Sequence, residues 1–361
     1  MTMATGLVSI NSLTDSPRWT RRHQRVEDLR VHPILGIPDL LRQLGVDPAP
    51  LLARVGILPE LLADQDNRLP FEVVGRLLAE SARQTGCPHF GLLVGQRASA
   101  DVLGLIGELA CQAPTVEVGL RLLSLHFYLH DRGAVLTLIQ RNPTLAELVY
   151  TIHVRDLPGA AQVMDGALAI GLHLMRGLCG PAWSAVEVTF AHARPTNLTP
   201  YQSYFRAPLR FDQRRSALVF ARGCLQQAIP GADPQVREAL TRRIGLLRSA
   251  SPHAFTDVVR QILIELIVGG MPSTERVASL LGVSRRTLFR RLAAEATSLQ
   301  GLMNEVRCEL ARQLLQESRM SLGEIAATLH FSQPSAFTRA FKQATGITPS
   351  ACRAAAAAVS V

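Results

Sequence analysis

Two stretches near the C-terminus carry one pattern twice. The first reads Val277-Ala278-Ser279-Leu280-Leu281-Gly282-Val283-Ser284-Arg285-Arg286-Thr287-Leu288, the second Ile325-Ala326-Ala327-Thr328-Leu329-His330-Phe331-Ser332-Gln333-Pro334-Ser335-Ala336-Phe337. Each has a small alanine, then a residue that tolerates positive φ (Gly282 or His330), then an apolar plug, Leu288 in one copy and Ala336 or Phe337 in the other. Two short helices crossing at a tight turn require that order: a small residue where they touch, a permissive residue at the turn, and an anchor behind the second helix. Ser284 and Ser332 stand just past the turns, where a hydroxyl can accept from the exposed amides of the next helix. After the first turn, Leu288 and Leu292 share one helical face and the arginines lie elsewhere, as suits a helix packed on protein and facing the major groove. A single capped helix pair also occurs in ordinary bundles; the duplication points to a chain that reads DNA.

The intervening sequence fits two such units. From Leu299 to Glu317 the chain reads as one helix, with Leu302, Val306, Leu310 and Leu314 at three- and four-residue spacings. At ~1.5 Å per residue it spans roughly 28 Å, near the ~34 Å between successive major-groove faces of B-DNA. Ser321-x-x-Glu324 is a capping box, and Gly346 followed by Pro349 can end a helix and turn the chain.

Arg307-x3-Ala311-x2-Leu314-Leu315, then Ser321-Leu322-Gly323-Glu324-Ile325-Ala326, then Phe331-Ser332 to Phe341-Lys342 and Thr345-Gly346-Ile347-Thr348-Pro349-Ser350, resemble the DNA-binding domain of AraC/XylS transcriptional regulators over residues 255–353. The resemblance implies that Arg286, Phe289 and Arg290, with Arg285 and the capping Ser284 beside them, face DNA from the first motif. In the second it implies Pro334, Ser335, Thr338 and Arg339, with Lys342 on phosphate. Two departures bear on this. His330 replaces the usual turn glycine, and Pro334 has no hydrogen bond to offer a base edge. The first motif is therefore expected to supply more base readout and the second more positioning. The resemblance also implies promoter DNA, RNA polymerase, a small-molecule effector and a homodimer, acting usually as an activator.

Ahead of the motifs, residues 1–30 read as a flexible tail and 31–230 as an α+β effector-binding and dimerisation domain. Strand-like runs fall at Ala134 to Gln140, Ala146 to Val154, Ala185 to His192, Leu209 to Phe211 and Ala217 to Phe220, with an apolar helix over Ala160 to Leu178. Residues 231–254 read as a connecting helix and linker, the all-α double motif follows, and 354–361 form an Ala-rich tail. Leu44-Gly45-Val46-Asp47-Pro48, Leu69-Pro70, Cys87-Pro88-His89-Phe90-Gly91-Leu92 and Leu103-Gly104-x2-Gly107 resemble the effector domain of the ornithine-utilisation branch of the same family. That resemblance implies ligand sensing and self-association without naming the ligand. His126 and His130, four apart, and His153 beside Arg155 are candidate effector contacts. The alternatives are a metal site, which lacks the HExxH glutamate and a visible third ligand, and ordinary helix-end histidines. No metal and no cofactor are expected.

Composition bounds the remaining classes. A chain of 361 residues with 47% apolar content supports two cores, and a net charge of +9 favours anionic partners. Residues 252–361 hold 12 Lys plus Arg against 8 Asp plus Glu, so the basicity is spread along the chain. The N-terminus lacks a signal-peptide pattern and no apolar run reaches the ~20 residues of a membrane span, so a cytoplasmic, nucleoid-associated protein is expected. The six cysteines show no paired metal spacing. DNA-repair alkyltransferases also carry such helices, but their Pro-Cys-His-Arg nucleophile is absent and Gly86-Cys87-Pro88-His89 is the nearest approach. A non-enzyme is expected; the rival regulator is one that has no effector and is controlled by abundance.

Overall fold

The computed structural model describes residues 27–359 apart from 99, 155, 251–254, 269–271, 282 and 318–319. The turn residue Gly282 and the candidate neighbour Arg155 thus lie outside the described residues. Strand β1 (Asp28–Arg30) is followed by helices α1 (Ile37–Gln43) and α2 (Pro48–Val55), and β2 (Arg68–Pro70) returns antiparallel to β1. Asp28–Arg30 lies within the stretch expected to be tail, and side chains explain its order. The Asp28 carboxylate accepts from Arg68 Nε at 2.6 Å and Arg132 Nη1 at 3.0 Å, while the Arg30 amide donates to the His130 carbonyl at 3.0 Å. A three-residue strand is too short to leave a periodic signal.

Helices α3 (Phe71–Thr85), α4 (Phe90–Arg97), α5 (Gly104–Cys111) and α6 (Val116–His126) lead into the main sheet. It comprises β3 (Ala134–Gln140) and β4 (Leu145–Ile152), then, past helix α7 (Ala160–Cys179), β5 (Glu187–Thr189), helix α8 (Thr199–Phe205), β6 (Leu209–Arg210) and β7 (Ser216–Ala221). The strand order is β3-β4-β7-β5-β6, antiparallel except for β5 with β6. One cross-strand row, Leu138-Leu148-Leu218-Val188-Leu209, spans all five strands, and α7 packs over β4 and β7. Between Ala185 and His192 the regular ladder covers Glu187–Thr189, and single backbone bonds extend it, from the Val186 amide to the Val219 carbonyl and from the Phe190 amide to the Arg210 carbonyl, both at 2.8 Å.

Glycine sets the closest helix contact. A Cβ on Gly91 would sit 2.0 Å from the Gln162 carbonyl, and one on Gly95 2.4 Å from the Gly166 carbonyl, so α4 can lie against α7 only without side chains there. Gln162 completes the junction: its Oε1 accepts the Gly91 amide at 2.7 Å and its Nε2 donates to the Pro88 carbonyl at 2.8 Å.

The rest is helical: α9 (Pro234–Ala250), α10 (Phe255–Val268), α11 (Thr274–Leu280), α12 (Arg285–Ala294), α13 (Leu299–Glu317), α14 (Leu322–Thr328), α15 (Pro334–Thr345) and α16 (Pro349–Val359). Helix α9 runs on into the expected linker. The alanine-rich end continues α16 to Val359, as the high helix propensity of alanine favours. Leu302, Val306, Leu310 and Ala311 of α13 are buried beside Phe337 and Phe341 of α15. Val135 on β3 belongs to this helical core, because α10 packs on the face of the sheet opposite α7.

Candidate nucleic-acid interface

In the first motif Ser284 is the N-cap of α12, its hydroxyl accepting the Thr287 amide at 3.2 Å. That cap phases the helix so that Leu288 and Leu292 are fully buried while Ser284, Arg285, Arg286, Phe289 and Arg290 are exposed. Phe289 is 44% exposed, a large apolar side chain left in water between arginines. Arg285 is held by Glu275 of α11 at 2.9 Å, whereas Arg286 and Arg290 have no ion-pair partner among the described residues. Helix α12 is tied to α10 from behind. Glu295, at its end, accepts the Phe255 and Thr256 amides at 2.7 and 2.8 Å, and Arg291 lies over the Phe255 ring.

The second motif is built on the same plan with two changes. Ser321 and Glu324 form the expected capping box: Ser321 Oγ accepts the Glu324 amide at 3.2 Å and Glu324 Oε2 accepts the Ser321 amide at 2.8 Å. His330 occupies the turn at φ +57°, the left-handed conformation expected there, and its Nε2 hydrogen donates to the Ile267 carbonyl at 3.1 Å. The imidazole thus gives the turn an anchor on α10 that glycine lacks. Ser332 does not cap α15, contrary to expectation. Pro334 takes the first helical position and forces an extended residue before it, so Gln333 becomes the N-cap, without a side-chain bond. Phe337 and Phe341 are buried, Ser335, Arg339 and Lys342 are exposed, and Thr338 is half-buried with its hydroxyl donating to the Pro334 carbonyl at 3.0 Å. Arg307 on α13 serves this turn as well, a role that its place in the sequence motif does not signal. It donates to the His330 carbonyl at 3.2 Å and covers the Phe331 ring, bracing the turn from below.

The geometry is therefore two capped helix-turn-helix units on a shared long helix, each with a polar outer face. Comparison with known families gives this arrangement its place: the sequence model described as the arabinose-binding domain of AraC transcription regulator, N-terminal, matches residues 45–229, and one described as a helix-turn-helix domain matches residues 277–355. The chain belongs to the AraC/XylS family.

Among similar proteins, the HTH-type transcriptional regulator VirS of Mycobacterium tuberculosis is 27% identical, covering 90% of this chain and 96% of its own length. The ornithine utilization regulator of Pseudomonas aeruginosa is also 27% identical, over 88% and 94%. The crystal structure of the transcriptional regulator CdpR from Pseudomonas aeruginosa aligns with 87% of this chain and 97% of its own, at 22% identity and a TM-score of 0.43.

The three histidines of the AraC-type effector domain do not converge. Helix α6 ends at His126 and a 3-10 turn over Phe127–Leu129 intervenes, so His126 and His130 do not share one continuous helical face. The chain bends there because the buried Asp131 accepts the Gly133 and Ala134 amides at 2.8 and 3.0 Å and the Tyr150 hydroxyl at 2.6 Å. Burial, reinforced by Arg30, Arg68 and His32, pushes His130 down to about 3, leaving it neutral. His130 lines a cavity of about 80 Å³ with Val74, Val94, Ile170, Leu174 and Tyr150. His153 faces the Arg132 carbonyl at 2.9 Å and lines neither that cavity nor the larger one between the domains. Among the described residues no group of histidine, cysteine and carboxylate side chains could hold a metal, and no helix is long and apolar enough to cross a membrane.

Proposed function

We propose that this AraC-type transcription regulator reads promoter DNA chiefly through Arg286, Phe289 and Arg290 of α12, and seats itself through Ser335, Thr338, Arg339 and Lys342 of α15. The observation that carries this is the pair of exposed arginines on a capped helix, with no protein partner among the described residues to give up on binding. Arginine grips guanine bidentately, and Phe289 offers an apolar surface to a thymine methyl. Arg285 must exchange Glu275 for phosphate and contributes less. The protein acts as a homodimer with RNA polymerase at the promoter, usually as an activator, in response to a small metabolite held by residues of the N-terminal domain. A regulator, not an alkyltransferase, is favoured by Cys87: burial raises its thiol pKa, and His89, 3.7 Å away, is itself shifted toward the neutral form by burial.

Genome-wide DNA capture with the full-length protein and with the Arg286→Ala, Arg290→Ala double variant tests the proposal. A recurrent site enriched by the natural protein and lost by the variant is expected. Uniform, salt-sensitive binding unchanged by the substitutions would reduce both helices to phosphate contacts and end the base-reading proposal.

A further inference from the structure

A cavity of about 380 Å³ lies between the two domains. One wall comes from the end of β4 and the start of α7, with Ile152, Val154 and Met164; the other is Ile267, Leu310 and Leu329 of the DNA-binding domain. The volume falls in the ~300–1,000 Å³ range of small-molecule sites, whereas the 80 Å³ cavity beside His130 is far below it.

The chemistry of the lining is one-sided. His192, Arg214 and Arg215 line it together with Gln213, and no described lining residue is a carboxylate. The surroundings of His192 favour its cationic form. Its Nδ1 faces the Ala193 carbonyl at 3.0 Å and its Nε2 faces Asp165 Oδ1 at 2.9 Å, an acceptor for each ring nitrogen. Arg215 approaches Glu147 only at 3.7 Å. Arg214 reaches across the domain boundary to Glu324 Oε1, while the other oxygen of that carboxylate closes the capping box of α14. The lining also carries the hydroxyls of Tyr150, Thr151, Ser216 and Thr328, but Tyr150 donates to Asp131 at 2.6 Å, Thr328 donates to the Glu324 carbonyl at 2.9 Å and Ser216 accepts the Ala191 amide at 2.8 Å, which leaves little to pair with a pentose that presents hydroxyls all round. An apolar body with one anionic group matches both the walls and the cations.

We infer that the interdomain cavity binds a small organic carboxylate with an aliphatic or aromatic body, its carboxylate taken by Arg214 and Arg215. This rests on the effector-responsive reading above and deepens it. The occupant competes with Glu324 for Arg214, so occupancy is coupled to how the second helix-turn-helix is held. A ligand shifts a conformational equilibrium only through such a difference in contacts between states.

Calorimetric titration of the full-length protein with octanoate, 4-phenylbutyrate, octan-1-ol and arabinose tests the site. At least one carboxylate is expected to bind about tenfold or more tightly than octan-1-ol, by the strength of a charge-assisted hydrogen bond. Preference for octanoate or for 4-phenylbutyrate distinguishes an aliphatic from an aromatic body. Arg214→Ala should weaken binding about tenfold, and Glu324→Gln, which keeps a capping-box side chain, should strengthen it several-fold. Misfolding cannot produce those opposite shifts. Binding of neither carboxylate, equal binding of octan-1-ol or arabinose, or an unchanged affinity in Arg214→Ala overturns the inference. The same preparations are assayed on the captured promoter fragments. Specific DNA binding without carboxylate binding removes this inference and leaves the regulator reading; carboxylate binding without specific DNA binding does the reverse.

Discussion

Replacing His330 separates two opposed contributions to the second turn. At φ +57° a residue with a Cβ costs about 1–2 kcal/mol more than glycine, while the bond from its imidazole to the Ile267 carbonyl, 3.1 Å and half-buried, returns about 0.5–1.5 kcal/mol. His330→Ala keeps the backbone cost and loses the bond, so the turn should weaken by about 0.5–1.5 kcal/mol. His330→Gly loses the bond but relieves the backbone; allowing about 0.5–1 kcal/mol for glycine's greater freedom when unfolded, it should stay within about 1 kcal/mol of the natural protein. Hydrogen exchange at the amides of residues 330 and 331, which donate to the Ala327 and Ala326 carbonyls at 3.1 and 2.9 Å, reads the local opening directly. The alanine variant should exchange about fivefold faster than the glycine variant, the factor for ~1 kcal/mol. Equal rates in the two would refute a left-handed backbone at this position in solution.

Gly95→Ala, whose Cβ would meet the Gly166 carbonyl at 2.4 Å, should destabilise the N-terminal domain by about 1–3 kcal/mol, while Gly177→Ala, with open space around it on α7, should be neutral or stabilising by up to ~1 kcal/mol; thermal unfolding that does not separate them would contradict the close helix contact. Burial opposes protonation of His192, but Asp165, the Ala193 carbonyl and Asp212 outweigh it and raise its pKa above 6.5. Its contribution to stability is then complete below about pH 6.5 and fades as pH rises through the folded-state value, so denaturation midpoints measured from pH 6 to 9 should fall more steeply for the natural protein than for His192→Gln. Arg290→Ala should remove about 1–3 kcal/mol of discrimination between cognate and altered sites, while Arg339→Ala should lower affinity on all sequences and reduce the salt slope by about 1; equal loss of discrimination in a competition binding assay would undo that ranking.

The DNA-binding half was legible in the sequence because its determinants are local. Ser284, the Ser321–Glu324 box and the leucines of α12 each act within one helical turn, so spacing alone placed them. Pro334 was also local, yet its influence on the residue before it shifted the cap from Ser332 to Gln333. The effector half was less legible for the opposite reason. The four-residue spacing of His126 and His130 signals a shared helical face only if the helix continues, and the demands of Asp131 stop it. The larger cavity has walls from residues over a hundred positions apart, and Arg214 meets Glu324, 110 residues further along the chain, across the contact between the domains. No periodicity encodes such a meeting.

The seating of Val135 in the helical core has a practical corollary for anyone dividing this chain. A cut between α9 and α10 looks clean along the sequence, but it would strip the cover from one face of β3 and leave the apolar surface around Val135 facing water. Fragments made that way should be stickier than the intact molecule, and an association seen only in the fragment would report the cut rather than a natural dimer.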